Sequence, residues 1–225
     1  MDIIWAKINP GEVYIGSNNR TILFGDIGPR HENKIEYSFE ISSTPVKKEV
    51  AHKLLSSSEY QIASESEWEL ALKQKMLIGD FEIEELGDKV RNSYWEKYCD
   101  GRTFIDNNWI MKIGRKWNSG VPEIIYLDKD QEVNFVRIVR RGKHEFIDNN
   151  SRLPKSSNRR RLILEELVIC FFIGIVPSFM WAYFNASKNY ILEGWLNLVF
   201  GGLFIGFFTI IFWRPSTKTF QNIEK

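Results

Sequence analysis

Two uninterrupted apolar stretches, residues 167–184 and 194–213, dominate the last third of this 225-residue chain. At about 1.5 Å of rise per residue, each is about the length of helix that crosses a hydrocarbon core of roughly 30 Å. Neither carries a charged residue in its interior. The pair predicts a transmembrane hairpin, with a first span over 162–184, a loop over 185–193, a second span over 194–213 and a tail over 214–225. Residues 1–158 read as a water-soluble domain, joined to the hairpin by a basic linker at 159–161.

Charge supplies the orientation. Arg152, Lys155, Arg159, Arg160 and Arg161 precede the first span, and Arg214 and Lys218 follow the second. The loop offers only Lys188 against Glu193. Basic flanks stay on the cytoplasmic side, so an integral membrane protein with both termini and the soluble domain in the cytoplasm is expected. The same cations can also touch anionic headgroups of the lipid bilayer. A net charge of +1 gives no basic face for nucleic acid. Met1-Asp2-Ile3-Ile4-Trp5-Ala6-Lys7 lacks the pattern of a secretory signal. Cys99 and Cys170, one in the soluble part and one in a span, suit a reducing compartment.

Ion paths and haem sites need ionisable or ligating groups inside the bilayer. The spans offer Ser178, Asn197 and Thr209 and no histidine, so a pore or redox centre is not expected, although a membrane-active hairpin stays open. Gly201, Gly202 and Gly206 would let another helix approach closely, either within the hairpin or from a larger membrane protein complex. Pro177 predicts a kink in the first span.

In the soluble part, residues 34–42 alternate strictly, with Ile35, Tyr37, Phe39 and Ile41 on one face, the signature of a half-buried strand. Thr44-Pro45 predicts a helix start, followed by Val46, Val50 and Leu54 at helical spacing and ended by Ser56-Ser57-Ser58. Ser64 with Glu67 three residues later predicts a capping box, and Trp68, Ala71 and Leu72 the apolar face of that helix. From Gly79 onward, turns at Asn107-Asn108, Asn118-Ser119-Gly120 and Asp128-Lys129-Asp130 separate short strands, among them Ile124-Ile125-Tyr126 and residues 134–140. The class is α+β.

Several pieces resemble one family in order. Asn9-Pro10-Gly11-Glu12-Val13-Tyr14-Ile15-Gly16 is similar to its opening strand, and Gly28-Pro29-Arg30-His31-Glu32 to the turn that follows. Residues 39–55 resemble its strand-and-helix unit, and Tyr60-Gln61-Ile62-Ala63-Ser64-Glu65-Ser66-Glu67-Trp68-Glu69-Leu70-Ala71 its most specific motif. Arg137-Ile138-Val139-Arg140-Arg141-Gly142 resembles its late arginine–glycine motif. The family is that of the formylglycine-generating enzymes, the sulfatase-modifying factors. The resemblance implies a C-type lectin-like fold, with Gly16, Pro29, His31, Glu67, Trp68, Glu69, Arg140 and Gly142 as its scaffold positions.

The metal-holding parts of that pattern are missing. Copper-binding members use two cysteines after the arginine–glycine motif, but only Cys170, within a span, follows Gly142. Iron-dependent relatives use a histidine triad, whereas His31, His52 and His144 share no compact ligand spacing. Between Ala71 and Asn92-Ser93-Tyr94-Trp95-Glu96 a long central region of the pattern is absent, and Lys143 and His144 replace its serine and tryptophan.

Other candidates each have a plain alternative. Glu67 and Glu69 read as an acidic pocket or as a cap with a solvated face; His144 as a ligand or a surface histidine; Cys99 as a reactive thiol or a small buried hydrophobe. Asp106-Asn107-Asn108 and Asp128-Lys129-Asp130 lack the spacing of a calcium loop and read as turns. The expectation is a degenerate, non-catalytic member of this family without cofactor or metal. It would be a pseudoenzyme that docks on or regulates a membrane protein complex, the alternative being a divergent metal-dependent oxidoreductase.

Overall fold

Alternating apolar and polar residues, punctuated by turn-forming pairs, give the chain up to Arg141 a series of short strands. The computed structural model describes residues 3–21, 23, 25–142, 144–146 and 151–221. Met1, Asp2, Lys143 and residues 222–225 of the expected tail lie outside the described residues. The chain is mixed α+β and divides into two compact units. One comprises Met1–Gly16, Pro29–Pro154 and Thr219–Lys225, the other Ser17–Gly28 and Lys155–Lys218.

The strands of the first unit are β1 (Trp5–Ile8), β2 (Gly11–Ile15), β3 (His31–Ile35), β4 (Phe39–Ser42), β5 (Val46–Lys47), β6 (Tyr60–Ile62), β7 (Ile83–Val90), β8 (Met111–Asn118), β9 (Val121–Asp128), β10 (Phe135–Val136) and β11 (Ile138–Arg141). Its helices are α1 (Lys48–Leu55) and α2 (Glu65–Lys73). One sheet runs β1-β4-β11-β6, a second β5-β10-β7-β8-β9, and β2 pairs with β3. Ser119-Gly120 closes the β8–β9 hairpin with positive φ at both residues, as a tight primed turn requires. Residues 107–108 and 129–130 are also turns.

Three expectations are corrected locally. The alternation over 34–42 is carried by β3 and β4 with a break between them, although its inward face stays buried through Ile35, Tyr37, Phe39 and Ile41. Thr44-Pro45 does not open a helix, because Val46 and Lys47 are taken into a ladder with Val136 and Phe135. The helix starts at Lys48 with no side-chain cap. Its Ala51 packs with Val46, Val136 and Ile138, while Val50 is exposed. The strand expected over 134–140 splits, so β10 joins one sheet and β11 the other.

α2 forms as its sequence predicts. The Ser64 hydroxyl accepts from the Glu67 N–H at 3.1 Å, and Glu67 Oε2 accepts from the Ser64 N–H at 2.9 Å. Trp68 and Ala71 are fully buried, but Leu70 rather than the expected Leu72 joins them, Leu72 being half-buried.

The second unit is built on two helices long and apolar enough to cross a membrane, α3 (Arg159–Asn185) and α4 (Lys188–Phe212). α3 begins at Arg159, capped by Asn158, so the expected basic linker is helical. Ser187 caps α4 by accepting from the Tyr190 N–H, which reduces the expected loop to Ala186 and Ser187. Ahead of Pro177, α3 widens over Cys170–Ile175 into π-type turns, in which the Val176 N–H reaches back to the Phe171 carbonyl. Proline supplies no N–H and crowds the carbonyl four residues back, so a local loosening of the ladder is how the helix accommodates it.

Glycines let the two helices approach closely. A Cβ on Gly202 would stand 2.6 Å from Ile175 Cα and 2.8 Å from the Gly174 carbonyl carbon, and one on Gly206 would stand 2.9 Å from Cys170 Cβ. Gly201 has nothing within 4 Å of that position. Gly202 and Gly206 therefore line the seam inside the hairpin, with Gly174 and Cys170 as partners, and Gly201 faces away from it. Outward side chains such as Phe172, Phe200, Phe204 and Phe207 are exposed, as lipid-facing residues would be. Gly202→Val should overpack the seam and destabilise the hairpin by about 1–3 kcal/mol, against about 0.5 kcal/mol or less for Gly201→Val. Thermal unfolding in detergent checks this, and equal shifts for the two variants would contradict the seam.

Candidate functional site

The charged residues around α2 are the chemistry-bearing part of the first unit. Glu65 and Glu69 stand one turn apart and both accept from Arg115 of β8, at 3.1 and 2.6 Å. The Arg115 guanidinium also lies 4.8 Å from the centre of the Trp68 ring. Burial alone would lower its pKa, but the two carboxylates hold it above the usual value. Glu69, pushed up by burial and pulled back by Arg115, is not the solvated residue that its position suggests.

A second charged cluster sits on the face that Trp68 buries. Glu84 of β7 is completely enclosed and accepts from Trp68 Nε1 (2.9 Å), Trp117 Nε1 (2.8 Å) and Arg137 Nε (2.6 Å) and Nη2 (3.0 Å). Arg137 spends its other N–H groups on the carbonyls of Ser42, Ser43 and Ile78. A break in the β7–β8 register between Glu85 and Lys89 turns Asp88 inward. Asp88 Oδ2 accepts from the Glu65 N–H at 2.6 Å, placing a negative charge at the start of α2, and Oδ1 pairs with the buried Lys97 at 2.5 Å.

Glu67, on the far side of α2, is buried under Arg141, which meets it with two N–H groups at 2.5 and 2.7 Å. Arg141 also donates to Gln61, and the Tyr37 hydroxyl donates to Glu67 at 2.8 Å. Burial, together with the Glu67 charge, raises Tyr37 so that it stays protonated. His144 stacks on Tyr37 at 4.3 Å and meets Phe146 edge-on at 5.0 Å.

The scaffold positions chosen from sequence are therefore distributed as follows. Gly16 has positive φ, and a side chain there would strike the Pro29 carbonyl and lie 3.2 Å from Tyr94. His31 Nδ1 donates to that same carbonyl at 2.8 Å, so Gly16, Pro29 and His31 form one cluster. Glu67, Trp68 and Glu69 point in three directions from α2, to Arg141, Glu84 and Arg115. Arg140 is half-exposed and pairs across the sheet with Glu40; it is Arg141 that turns in to Glu67. Gly142 stands in open space. Sequence reasoning missed Glu65, Glu84, Asp88, Lys97, Arg115, Arg137 and Arg141. The available signal was a charge flanked by apolar neighbours within a strand, as in Val136-Arg137-Ile138.

The donors present do not fit the metal that the family resemblance implies. Cys99 is buried, its thiol pushed up to about 12 chiefly by that burial, and Cys170 packs in the α3–α4 seam. His52 is exposed on α1, and His144 is stacked on Tyr37. Among the described residues no three His, Cys, Asp or Glu side chains converge as metal ligands. The carboxylates of α2 are paired, and Tyr94, buried with its hydroxyl on Glu65 at 2.7 Å, is held protonated. Comparisons with protein-family models, with curated proteins and with solved structures give no match for this chain.

Two predictions follow from these environments. Arg137→Met would leave Glu84 buried and short of its main counter-charge. The expected cost is about 3–5 kcal/mol, whereas Arg140→Met, at a half-exposed pair, should leave the unfolding midpoint close to that of the unsubstituted chain. Denaturant unfolding of the purified protein distinguishes them.

His31 is held neutral, its pKa pushed down to about 3 by burial, with Lys97 lowering it further and the Pro29 carbonyl opposing. The unfolded chain protonates this histidine below its ordinary 6.5 and the folded chain does not until about 3. Stability is therefore lost as pH falls through that window, at up to about 1.4 kcal/mol per pH unit from this residue. His31→Gln should flatten the slope of unfolding free energy against pH over the same range; an unchanged slope would remove the argument.

Proposed function

We propose that this chain is a membrane-anchored, non-catalytic binding module. A shortened scaffold of the formylglycine-generating enzyme family, C-type lectin-like in fold, faces the cytoplasm and docks on or regulates a membrane protein complex. α3 and α4 hold it in the lipid bilayer. The observation that carries the reading is the commitment of the acidic residues of α2. Glu65, Glu67 and Glu69 are each bound to an arginine within the fold, which leaves none of them to serve as an acid, a base or a ligand.

Support for the anchor comes from the length of the two helices, their apolar outward surfaces and the arginines at 159–161 and 214. Gly201, turned away from the seam, is the place on α4 where a partner helix could approach closely.

Extraction in mild detergent, followed by identification of co-purifying proteins and metal analysis, tests the proposal. A membrane protein should accompany the chain in constant ratio, and Gly201→Val should reduce that ratio without lowering the unfolding temperature. A partner-free, metal-free chain would refute the assembly role. Stoichiometric copper or iron, lost on His31→Ala or His144→Ala, would replace it with the oxidoreductase alternative.

A further inference from the structure

The segment Ser17–Gly28 interrupts β2 and β3 in sequence yet belongs to the same compact unit as the two long helices. It closes on itself first. The Ser17 N–H donates to the Ile27 carbonyl (2.9 Å), the Asn19 N–H to Ser17 Oγ (3.0 Å), and the Thr21 N–H to Asn19 Oδ1 (3.0 Å). These bonds tie the two ends of the loop together and fold its first residues against each other.

This loop is bound to the end of the helix pair by charge and by backbone. Arg20 Nη2 and Arg214 Nη2 both meet Glu166 Oε1, at 3.2 and 2.7 Å, and Arg214 adds its Nε at 3.0 Å. Each arginine also caps a carbonyl from the other's segment, Arg20 that of Pro215 (3.2 Å) and Arg214 that of Arg20 (3.4 Å). The Thr217 N–H reaches the Asn18 carbonyl at 3.2 Å, and the Leu23 N–H reaches the Ile211 carbonyl at 3.4 Å.

The last of these sets the depth of the loop. Glu166 and Arg214 mark where charge gives way to the apolar stretches of α3 and α4. Ile211 lies in the last turn of α4, three residues before Arg214 and on the apolar side of that boundary. Leu23 sits at that level with 59% of its surface exposed, beside a helix whose own side chains are exposed and apolar. In sequence it is the centre of Ile22-Leu23-Phe24, flanked by Arg20 on one side and Asp26 on the other. Groups at such a depth lie within the boundary of headgroups and acyl chains, where interfacial elements bury about 5–10 Å.

We infer that Ser17–Gly28 is a membrane-inserting loop that places Leu23 in the interfacial layer of the bilayer, clasped to the helix pair by Arg20, Glu166 and Arg214. The inference rests on the proposal that α3 and α4 span the bilayer, and its occupant is lipid. A charged carboxylate at this level is tolerable because two arginines share it, and the surplus positive charge faces the headgroup phosphates. The loop would thus be a membrane contact contributed from within the sequence of the soluble domain, separate from the hairpin.

The test uses the full-length chain in phosphatidylcholine nanodiscs, with an environment-sensitive fluorophore attached in turn to Leu23→Cys, to Phe204→Cys in α4, and to Ser119→Cys in the β8–β9 turn. The native Cys99 and Cys170 are buried, and labelling of the unsubstituted chain measures their background. The expected result is blue-shifted emission at Leu23→Cys, quenching by lipids brominated near the glycerol end, and iodide quenching reduced about threefold relative to Ser119→Cys. Adding Arg20→Glu should restore iodide quenching at Leu23→Cys while leaving Phe204→Cys unchanged. Iodide access at Leu23→Cys equal to that at Ser119→Cys, with Phe204→Cys quenched by lipid, would overturn the loop inference and leave the spanning reading intact. Failure of lipid to quench Phe204→Cys would overturn both.

Discussion

Glu84 is fully enclosed, and an ionised carboxyl in that position is tolerable only where donors surround it. Two indole N–H groups and the Arg137 guanidinium do so, and the requirement reaches across the first unit. Trp68 has to come from α2, Trp117 from β8 and Arg137 from the crossing between β10 and β11. Arg137 in turn ties down carbonyls at Ser42, Ser43 and Ile78. One charge thus sets the mutual position of a helix and both larger sheets. Buried pairs of this kind add less to net stability than to the cost of any alternative arrangement.

Asp88–Lys97, Arg115 with Glu65 and Glu69, and Arg141 with Glu67 repeat the device around α2. The titratable groups of these clusters are paired with one another, and Tyr37, Tyr94 and His31 beside them are held in their neutral forms.

The proposed membrane placement of the helical unit poses a different problem, because apolar surface drives no association within a lipid phase. Close backbone approach takes its place. Gly174 and Gly202 remove the side chains that would separate α3 from α4, and the π-type turns ahead of Pro177 keep backbone groups of α3 bonded where the proline cannot contribute.

Much of the local structure was legible in residue order. The Ser64–Glu67 capping box, the turns at 107–108, 119–120 and 129–130, and the positions of the two long helices follow from spacing and residue type, which act over a few residues. The Thr44-Pro45 start was misread because local propensity lost to a ladder with β10, a partner almost ninety positions away in sequence that no local signal reports. Which of Arg140 and Arg141 turns inward is not legible in the sequence for a related reason. Neighbouring residues of a strand point to opposite faces, and only the register of β11 against β4 and β6 decides which arginine turns inward.

Sequence alone determined that the chain carries two apolar helices with basic flanks and an α+β portion before them, since hydropathy and capping are properties of contiguous residues. Tertiary structure alone decided which charges are buried and with whom, that Gly202 and Gly206 serve the hairpin while Gly201 does not, and that residues 17–28 fold with the helices. Each of these depends on partners brought together from distant parts of the chain, where a pairing is settled by the geometry of desolvated groups and local order names no partner.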